Sequence, residues 1–251
     1  SGIVSSVHAF AQSPIGDWFV GFLIIGVSGT IYLILNRLDY LKSESQLESV
    51  VSRESSFLFN NVILLASCFA VLWGTLFPVI SEAVTNEKIS VGPPFFNKVN
   101  IPIGLLLLFL TGVGPLFAWR RTSVESLRRN FQWPAIVALG IGALLMALEV
   151  RDFYAVVCFI LCAFVALTIM IEFIKGARLV QRKQNRGFLA ALVELTHRNT
   201  RRYGGYIVHM GMVFMFIGFA GSAFNEHGKG ELEVGDGLQV GTYEFHLKEI
   251  T

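Results

Sequence analysis

The sequence predicts an all-α, polytopic membrane protein with about six transmembrane helices, followed by the start of a β domain. Of the 251 residues, 53% are hydrophobic and only 15% are charged, and the mean hydropathy is +0.60. A soluble chain of this length carries more charge and interrupts its apolar runs. Because a helix needs roughly 20 apolar residues to cross a hydrocarbon core, six stretches qualify: 17–36, 57–80, 101–119, 134–150, 153–174 and 203–224.

The connections between these stretches predict the orientation of the chain. Segments 37–56, 120–133 and 175–202 contain 3, 4 and 8 lysines and arginines, and the remaining segments contain only 5 of the total of 20. Basic connections stay on the cytoplasmic side. Both ends of the chain should therefore face outward, into the periplasm if the membrane is a bacterial inner membrane. We expect no nucleic-acid partner, because the positive charge marks topology and no basic patch alternates with exposed aromatic residues.

The third stretch follows an outward segment that interrupts any helix, Gly92-Pro93-Pro94. Phe95 and Phe96 come next, and they suit either an aromatic anchor at the membrane surface or one wall of a ligand or partner site.

The fourth stretch, 134–150, is short and rich in glycine. In the fifth, Cys158 and Cys162 share a helix face, which is typical of small packing residues. All three cysteines lie inside spans, so no disulfide framework is predicted outside the membrane.

The sixth stretch contains His209, an ionisable residue about two turns inside an apolar run. Such a residue at membrane depth is costly and is a functional-site hypothesis by default. One interpretation is that the imidazole binds haem iron, for which a neutral ring with a free nitrogen is well suited. The other is that it hydrogen-bonds to a neighbouring helix.

Helical periodicity places Gly205 and Arg202 on the same face as His209. Gly205 leaves room beside the imidazole for a flat ring system, and Arg202 suits an anionic group such as a haem propionate. On the opposite face, small residues recur every seven positions, which predicts a close-packing seam for a neighbouring helix: Gly204, Gly211 and Gly218.

The region after the last span alternates between apolar and polar residues from 231 to 248, with a turn at Gly235-Asp236-Gly237. Two or three strands with open edges are not stable alone. We therefore expect residues 225–251 to be the start of a periplasmic β domain, and the chain to be a fragment cut at both ends. The sequence contains no CxxCH motif, phosphate-binding loop, zinc-protease motif, serine elbow or internal repeat.

Six segments, in order along nearly the whole chain, carry a family resemblance: SGIVSSVHAFAQSP (1–14), ESSFLFNNVILL (54–65), WGTLFPVISE (73–82), ISVGPPFFNKV (89–99), GVGPLFAWR (112–120) and RRYGGYIVHMG (201–211). They resemble the CcmF and NrfE family of haem lyases in bacterial cytochrome c maturation. The resemblance implies that the whole protein attaches haem to the CxxCH motif of apocytochrome c outside the membrane, where two thiols add across the two vinyl groups.

The resemblance also implies two haem sites. A resident b-type haem lies between two transmembrane histidines and keeps the incoming iron ferrous, and His209 matches the second of these histidines. The incoming haem is held between two outward histidines, of which His8 matches the second. Both residues would be axial iron ligands. The implied partners are a haem-delivering chaperone similar to CcmE, apocytochrome c, and other maturation subunits similar to CcmH and CcmI.

This sequence departs from the family pattern in two ways. The tryptophan-rich outward motif is absent, and the first outward and first transmembrane histidines have no counterpart after Ser1. The chain then supplies one ligand to each haem, and we expect it to be inactive alone. Two alternatives stay open on the sequence: a non-catalytic scaffold of the maturation complex, and a haem b redox subunit of a quinone-linked complex. A transporter or channel is disfavoured, because the sequence shows no repeats, broken helices or several charged midplane residues.

Overall fold

The computed structural model describes residues 16–42, 47–87, 89–185, 187–225, 237–240 and 243–246. The chain divides into two units, residues 1–46 and 47–251. The described part of the first unit contains helix α1 (Gly16–Asn36), which coincides with the first predicted span, and the short helix α2 (Leu38–Leu41). The described apolar part of α1, Gly21–Asn36, is shorter than the candidate spans of the second unit.

The second unit contains six helices and a hairpin in its described residues. Five of these helices are long and apolar enough to cross a membrane, which confirms a multi-pass membrane protein. The sixth, α7, is a short helix at the end of the basic connection between α6 and α8. The elements in chain order are α3 (Arg53–Thr85), α4 (Pro93–Val113), α5 (Val124–Ala147), α6 (Phe153–Gln184), α7 (Phe188–Arg198), α8 (Thr200–Gly221), β1 (Gly237–Val240) and β2 (Tyr243–His246).

Polar caps begin three of the long helices. The Ser52 and Ser55 side chains form a reciprocal capping box at the start of α3, and Ser123 caps α5 by accepting a hydrogen bond from the Ser126 amide. The carboxylate of Asp152 accepts from the Ala155 amide at 2.7 Å at the start of α6. Each cap satisfies a backbone amide that the helix itself leaves unpaired.

Helix α4 begins eight residues before its predicted start, at Pro93 instead of residue 101. The Gly92-Pro93-Pro94 segment therefore starts a helix, since proline is well suited to the first helical position. Phe95 and Phe96 pack onto α3, where a Cβ added to Gly74 would lie 2.8 Å from both rings. The two phenylalanines thus fix α4 against α3.

Helix α6 lies at the centre of the unit and packs against α4, α5, α7 and α8. Its Val165 is fully buried. Leu108 of α4, Ala138 of α5 and Val213 of α8 are almost fully buried in the same cluster. Since the surrounding lipid is itself apolar, close packing rather than burial from water holds such helices together.

Small residues permit the close approach of α4, α5, α7 and α8 to the central helix. A Cβ added to Gly112 would lie 2.9 Å from Val165 and 3.1 Å from Phe164. On α5, Gly142 is covered by Ile160 of α6, and Gly176 of α6 is covered by side chains of α7 and α8. These glycines, rather than those predicted from the heptad spacing, form the contacts between helices.

The predicted seam on α8 is wrong for the described part of the chain. A Cβ added to Gly211 or Gly218 would have nothing within 4 Å, and one added to Gly204 would meet only Thr200 of its own helix, at 3.8 Å. The seven-residue spacing identifies a face of α8, but within the described residues no side chain of another helix packs against these three glycines.

We expect Gly112→Val to destabilise the helical unit by about 1–3 kcal/mol, the usual cost of overpacking a core. Val165 is fully buried and too short to turn away from an added side chain. Gly218→Val is the matched control, because it also replaces a helical glycine by valine, at a position where an added Cβ has no neighbour within 4 Å. Thermal unfolding in detergent measures both variants, and equal losses of stability would contradict the packing argument.

Two further expectations are supported by the described residues. Cys158 and Cys162 are buried and face α8, where their thiols contact the Phe216 and Val213 carbonyls at 3.5 and 3.7 Å.

The C-terminal hairpin pairs β1 and β2 antiparallel, with Gly237 opposite His246. The predicted turn at 235–236 and the strand before it lie outside the described residues.

Candidate functional site

His209 lies in the middle of α8, and its Nδ1 atom is buried with no hydrogen-bond partner among the described residues. Leaving a buried polar group unpaired costs about 1–3 kcal/mol. The second interpretation of the sequence, a hydrogen bond to a neighbouring helix, is therefore not seen for this nitrogen in the described part of the chain. An imidazole in this state is open to a ligand.

A cavity of about 580 Å³ lies beside His209. Its size falls within the roughly 300–1,000 Å³ that is usual for small-molecule and cofactor sites. Residues of α3, α5, α6, α8 and the segment after α4 line it: Arg53, Pro115, Leu116, Phe117, Ala118, Ser126, Asn130, Glu172, Arg201, Arg202, Gly205, Tyr206 and His209.

A smaller cavity of about 250 Å³ also reaches His209, from the side of α3 and α4. Arg53, Pro115 and His209 line both cavities, and Asn60 lines only the smaller one. The imidazole therefore stands where two adjacent spaces meet. This position gives the ring access to a ligand that is larger than either space alone.

Two loop segments hold the helices around this space. The Arg53 amide donates to the Ala118 carbonyl at 2.9 Å, and the Thr122 amide donates to the Val51 carbonyl at 3.1 Å. Gly114 lies directly against Ser56, where an added Cβ would be 2.5 Å from the hydroxyl oxygen. The start of α3 and the segment after α4 are thus joined by backbone contacts on one side of the cavity.

The cavity is predominantly positive at the start of α8. Arg202 donates to the Glu172 carboxylate at 2.6 Å and lies 5.8 and 5.9 Å from the ring centres of Tyr203 and Tyr206. Contacts of this kind fix the guanidinium by charge and by cation–π attraction. Arg53 and Arg201 also line the cavity, and neither forms an ion pair within the described residues.

Gly205 is four residues before His209 on α8 and lines the same cavity. A Cβ added at this position would have nothing within 4 Å. The space beside the imidazole is therefore open at Gly205, as the sequence predicts.

The structure brings three of the predicted site residues together, His209, Arg202 and Gly205. His8 lies outside the described residues. His197 is exposed on α7, and His246 is exposed in the hairpin beside Glu244.

Sequence reasoning missed Arg53, Arg201 and Glu172 as lining residues. Glu172 could have been identified from the sequence, because it is a carboxylate near the end of the predicted span 153–174, where ionisable groups are rare. Arg53 could not, because nothing in the sequence places the start of α3 beside α8.

No group of three histidine, cysteine, aspartate or glutamate residues is placed to hold a metal ion within the described ranges. The described lining thus offers the single imidazole of His209 as a nitrogen ligand. A metal bound here would need its other ligands from elsewhere, as haem iron has from its porphyrin.

Three of the six segments that carry the sequence resemblance contribute residues to the two adjacent cavities beside His209. Residues 54–65 contribute Asn60, residues 112–120 contribute Pro115 and its neighbours, and residues 201–211 contribute His209. These segments are separated by tens of residues along the chain. These three segments therefore meet beside His209.

Comparisons with known proteins agree with this resemblance. The chain is 32% identical over 250 residues to the cytochrome c-type biogenesis protein CcmF of Pseudomonas aeruginosa, covering 98% of this chain and 36% of the relative. It is 34% identical over 257 residues to CycK of Rhizobium meliloti, also covering 98% of this chain and 36% of the relative. No protein-family model matches the chain.

A solved structure agrees as well. The structure titled cytochrome c heme lyase CcmF superposes with a TM-score of 0.63 at 28% identity, covering 91% of this chain and 34% of that one. The chain belongs to the CcmF family of cytochrome c-type biogenesis proteins. It spans about a third of the length of the relatives that it matches. The CcmF fold confirms the predicted helical membrane architecture, with its small C-terminal sheet.

Proposed function

We propose that this chain forms part of a cytochrome c haem lyase and that His209 is an axial ligand of a resident b-type haem. The observation that carries the proposal is the buried, unpartnered Nδ1 of His209 beside a cavity of about 580 Å³. The family relationship makes haem the ligand to consider, and the lining fits it. The opposite axial ligand and the remainder of the pocket would come from outside this chain.

The lining residues have distinct roles in this proposal. His209 binds and orients the iron, and Gly205 leaves room for the face of the macrocycle. Arg53 and Arg201, which form no ion pair within the described residues, bind the two propionates, since guanidinium groups suit carboxylates. Arg202 lies beside them and is paired with Glu172. A bound haem supplies one-electron chemistry, and its axial ligand and surroundings set its potential.

The haem that becomes attached to apocytochrome c is the substrate. In this proposal His8 is the chain's ligand to that incoming haem, on the outward side of a bacterial inner membrane. Both ends of the chain are then periplasmic. A CcmE-like chaperone delivers the haem, and CcmH- and CcmI-like subunits present the apocytochrome. The protein positions haem and thiols, whose own chemistry forms the thioethers.

Complementation tests this function. The full-length protein is expressed with a CxxCH reporter in a bacterium that lacks its own haem lyase, and covalent haem on the reporter is measured after denaturation. We expect the reporter to carry covalent haem. A full-length protein that co-purifies with the maturation subunits, contains no haem and gives no covalent product would instead be a scaffold.

His8→Ala in the same protein should lower the yield of covalent haem at least about tenfold, because an axial ligand contributes more than an outer-shell group. The absorbance of the resident b-type haem should remain, since His209 binds a different haem. His197→Ala is the matched control, an exposed histidine on α7 that does not line the cavity of His209. Normal maturation by the His8 variant would contradict its assignment.

A further inference from the structure

Among the described residues, Glu172 is the one carboxylate that lines the cavity beside His209. It lies on α6, and its side chain is only 13% exposed. One oxygen accepts from Arg202 at 2.6 Å, and the other lies 3.5 Å from Lys175. A carboxylate this buried at the end of a membrane-spanning stretch is rare and needs a reason.

The charges that line the cavity do not cancel. Three guanidinium groups are present, those of Arg53, Arg201 and Arg202, against the single carboxylate of Glu172. With His209 neutral, the lining has a formal charge of +2. Lys175 also pairs with Glu172, at 3.5 Å, but it is not among the residues that line the cavity.

A charge of +2 matches the ligand of the proposed function. A b-type haem has two ionised propionates, and the ferrous iron is balanced by the porphyrin, so the ferrous group has a charge of −2. Oxidation to the ferric state adds one positive charge. Without Glu172 the lining would have a charge of +3, which would disfavour the ferric state further.

We infer that Glu172 sets the reduction potential of the haem bound at His209 by cancelling the charge of Arg202. The inference rests on the proposed function, because it needs haem in this cavity. Glu172 does not touch the iron and is therefore a charge-setting residue, not a ligand. Its carboxylate keeps the potential below the value that three uncompensated arginines would impose.

Spectroelectrochemical titration of the full-length, haem-containing protein tests the inference with three variants. Glu172→Gln removes a negative charge, so the midpoint potential should rise. Arg202→Gln removes a positive charge, so the potential should fall. The double variant keeps the lining at +2, and its potential should return to that of the wild type. Glu194→Gln on α7, outside the lining, should change nothing.

The outcomes separate charge from structure and the inference from the proposed function. A double variant that stays displaced by as much as a single variant would overturn the inference, because the net charge of the lining is then restored while the potential is not. Loss of haem from both Glu172→Gln and the double variant would overturn it as well. A wild-type protein without haem would instead overturn the proposed function, before any potential is measured.

Discussion

Replacing His209 by alanine in the full-length protein is expected to abolish the absorbance of the resident haem. Losing an outer-shell partner typically reduces metal affinity by roughly 10–100-fold, and losing a ligand itself should exceed this. The imidazole has no described hydrogen-bond partner at Nδ1, so its removal breaks no contact of that atom within the described chain. Insertion into the membrane should be unaffected, since alanine favours the helix and the apolar run is unbroken.

Three measurements check this expectation. Reduced-minus-oxidised spectra report the haem, protease protection reports insertion, and covalent haem on a cytochrome reporter reports function. His209→Gly with added imidazole is a rescue variant, because the free ring can enter the space that it vacates. Recovery of the absorbance would show that the ligand was lost and not the fold. An unchanged spectrum in the alanine variant would contradict the assignment of His209.

Helical periodicity is enough to predict how the site on α8 is arranged, but not what surrounds it. Residues four apart on a helix share a face, so His209 and Gly205 were correctly placed beside one space. The same reasoning failed for the glycine seam, because a face does not identify its neighbour. Arg53 is placed beside the cavity by tertiary contacts, such as that of its amide with the Ala118 carbonyl, which no local pattern encodes.

Hydropathy likewise predicted the helices better than their ends. The predicted span 153–174 lies inside a helix that continues to Gln184, because the polar end of α6 is still helical beyond the apolar run. Within this span Glu172 pairs with Arg202, thirty residues later. High hydropathy identifies the segment that crosses the membrane, whereas the charged residues near the end of that segment line the cavity. Hydropathy therefore predicts the helix but not the site.

Filling the cavity at Gly205 should weaken haem binding while leaving the ligand His209 in place. Gly205→Leu projects a side chain into space that is open in the structure, since an added Cβ has no neighbour within 4 Å. The fold should tolerate the change, and leucine also favours a helix over glycine by close to 1 kcal/mol. A macrocycle that enters this space would meet the leucine, and an overpacking cost of roughly 1–3 kcal/mol corresponds to a loss of affinity of about 5- to 150-fold.

Gly211→Leu is the matched control for this experiment. Gly211 is six residues further along the same helix, has the same open surroundings, and does not line the cavity of His209. Both variants therefore replace a glycine of α8 by leucine, and they differ only in the space that the leucine fills. We expect haem to be lost from the Gly205 variant alone, with equal thermal stability of the two apoproteins. Haem retained in both would show that the macrocycle lies elsewhere, even if His209 remains necessary. Haem lost from both would mean that helix packing, and not the cavity, controls binding.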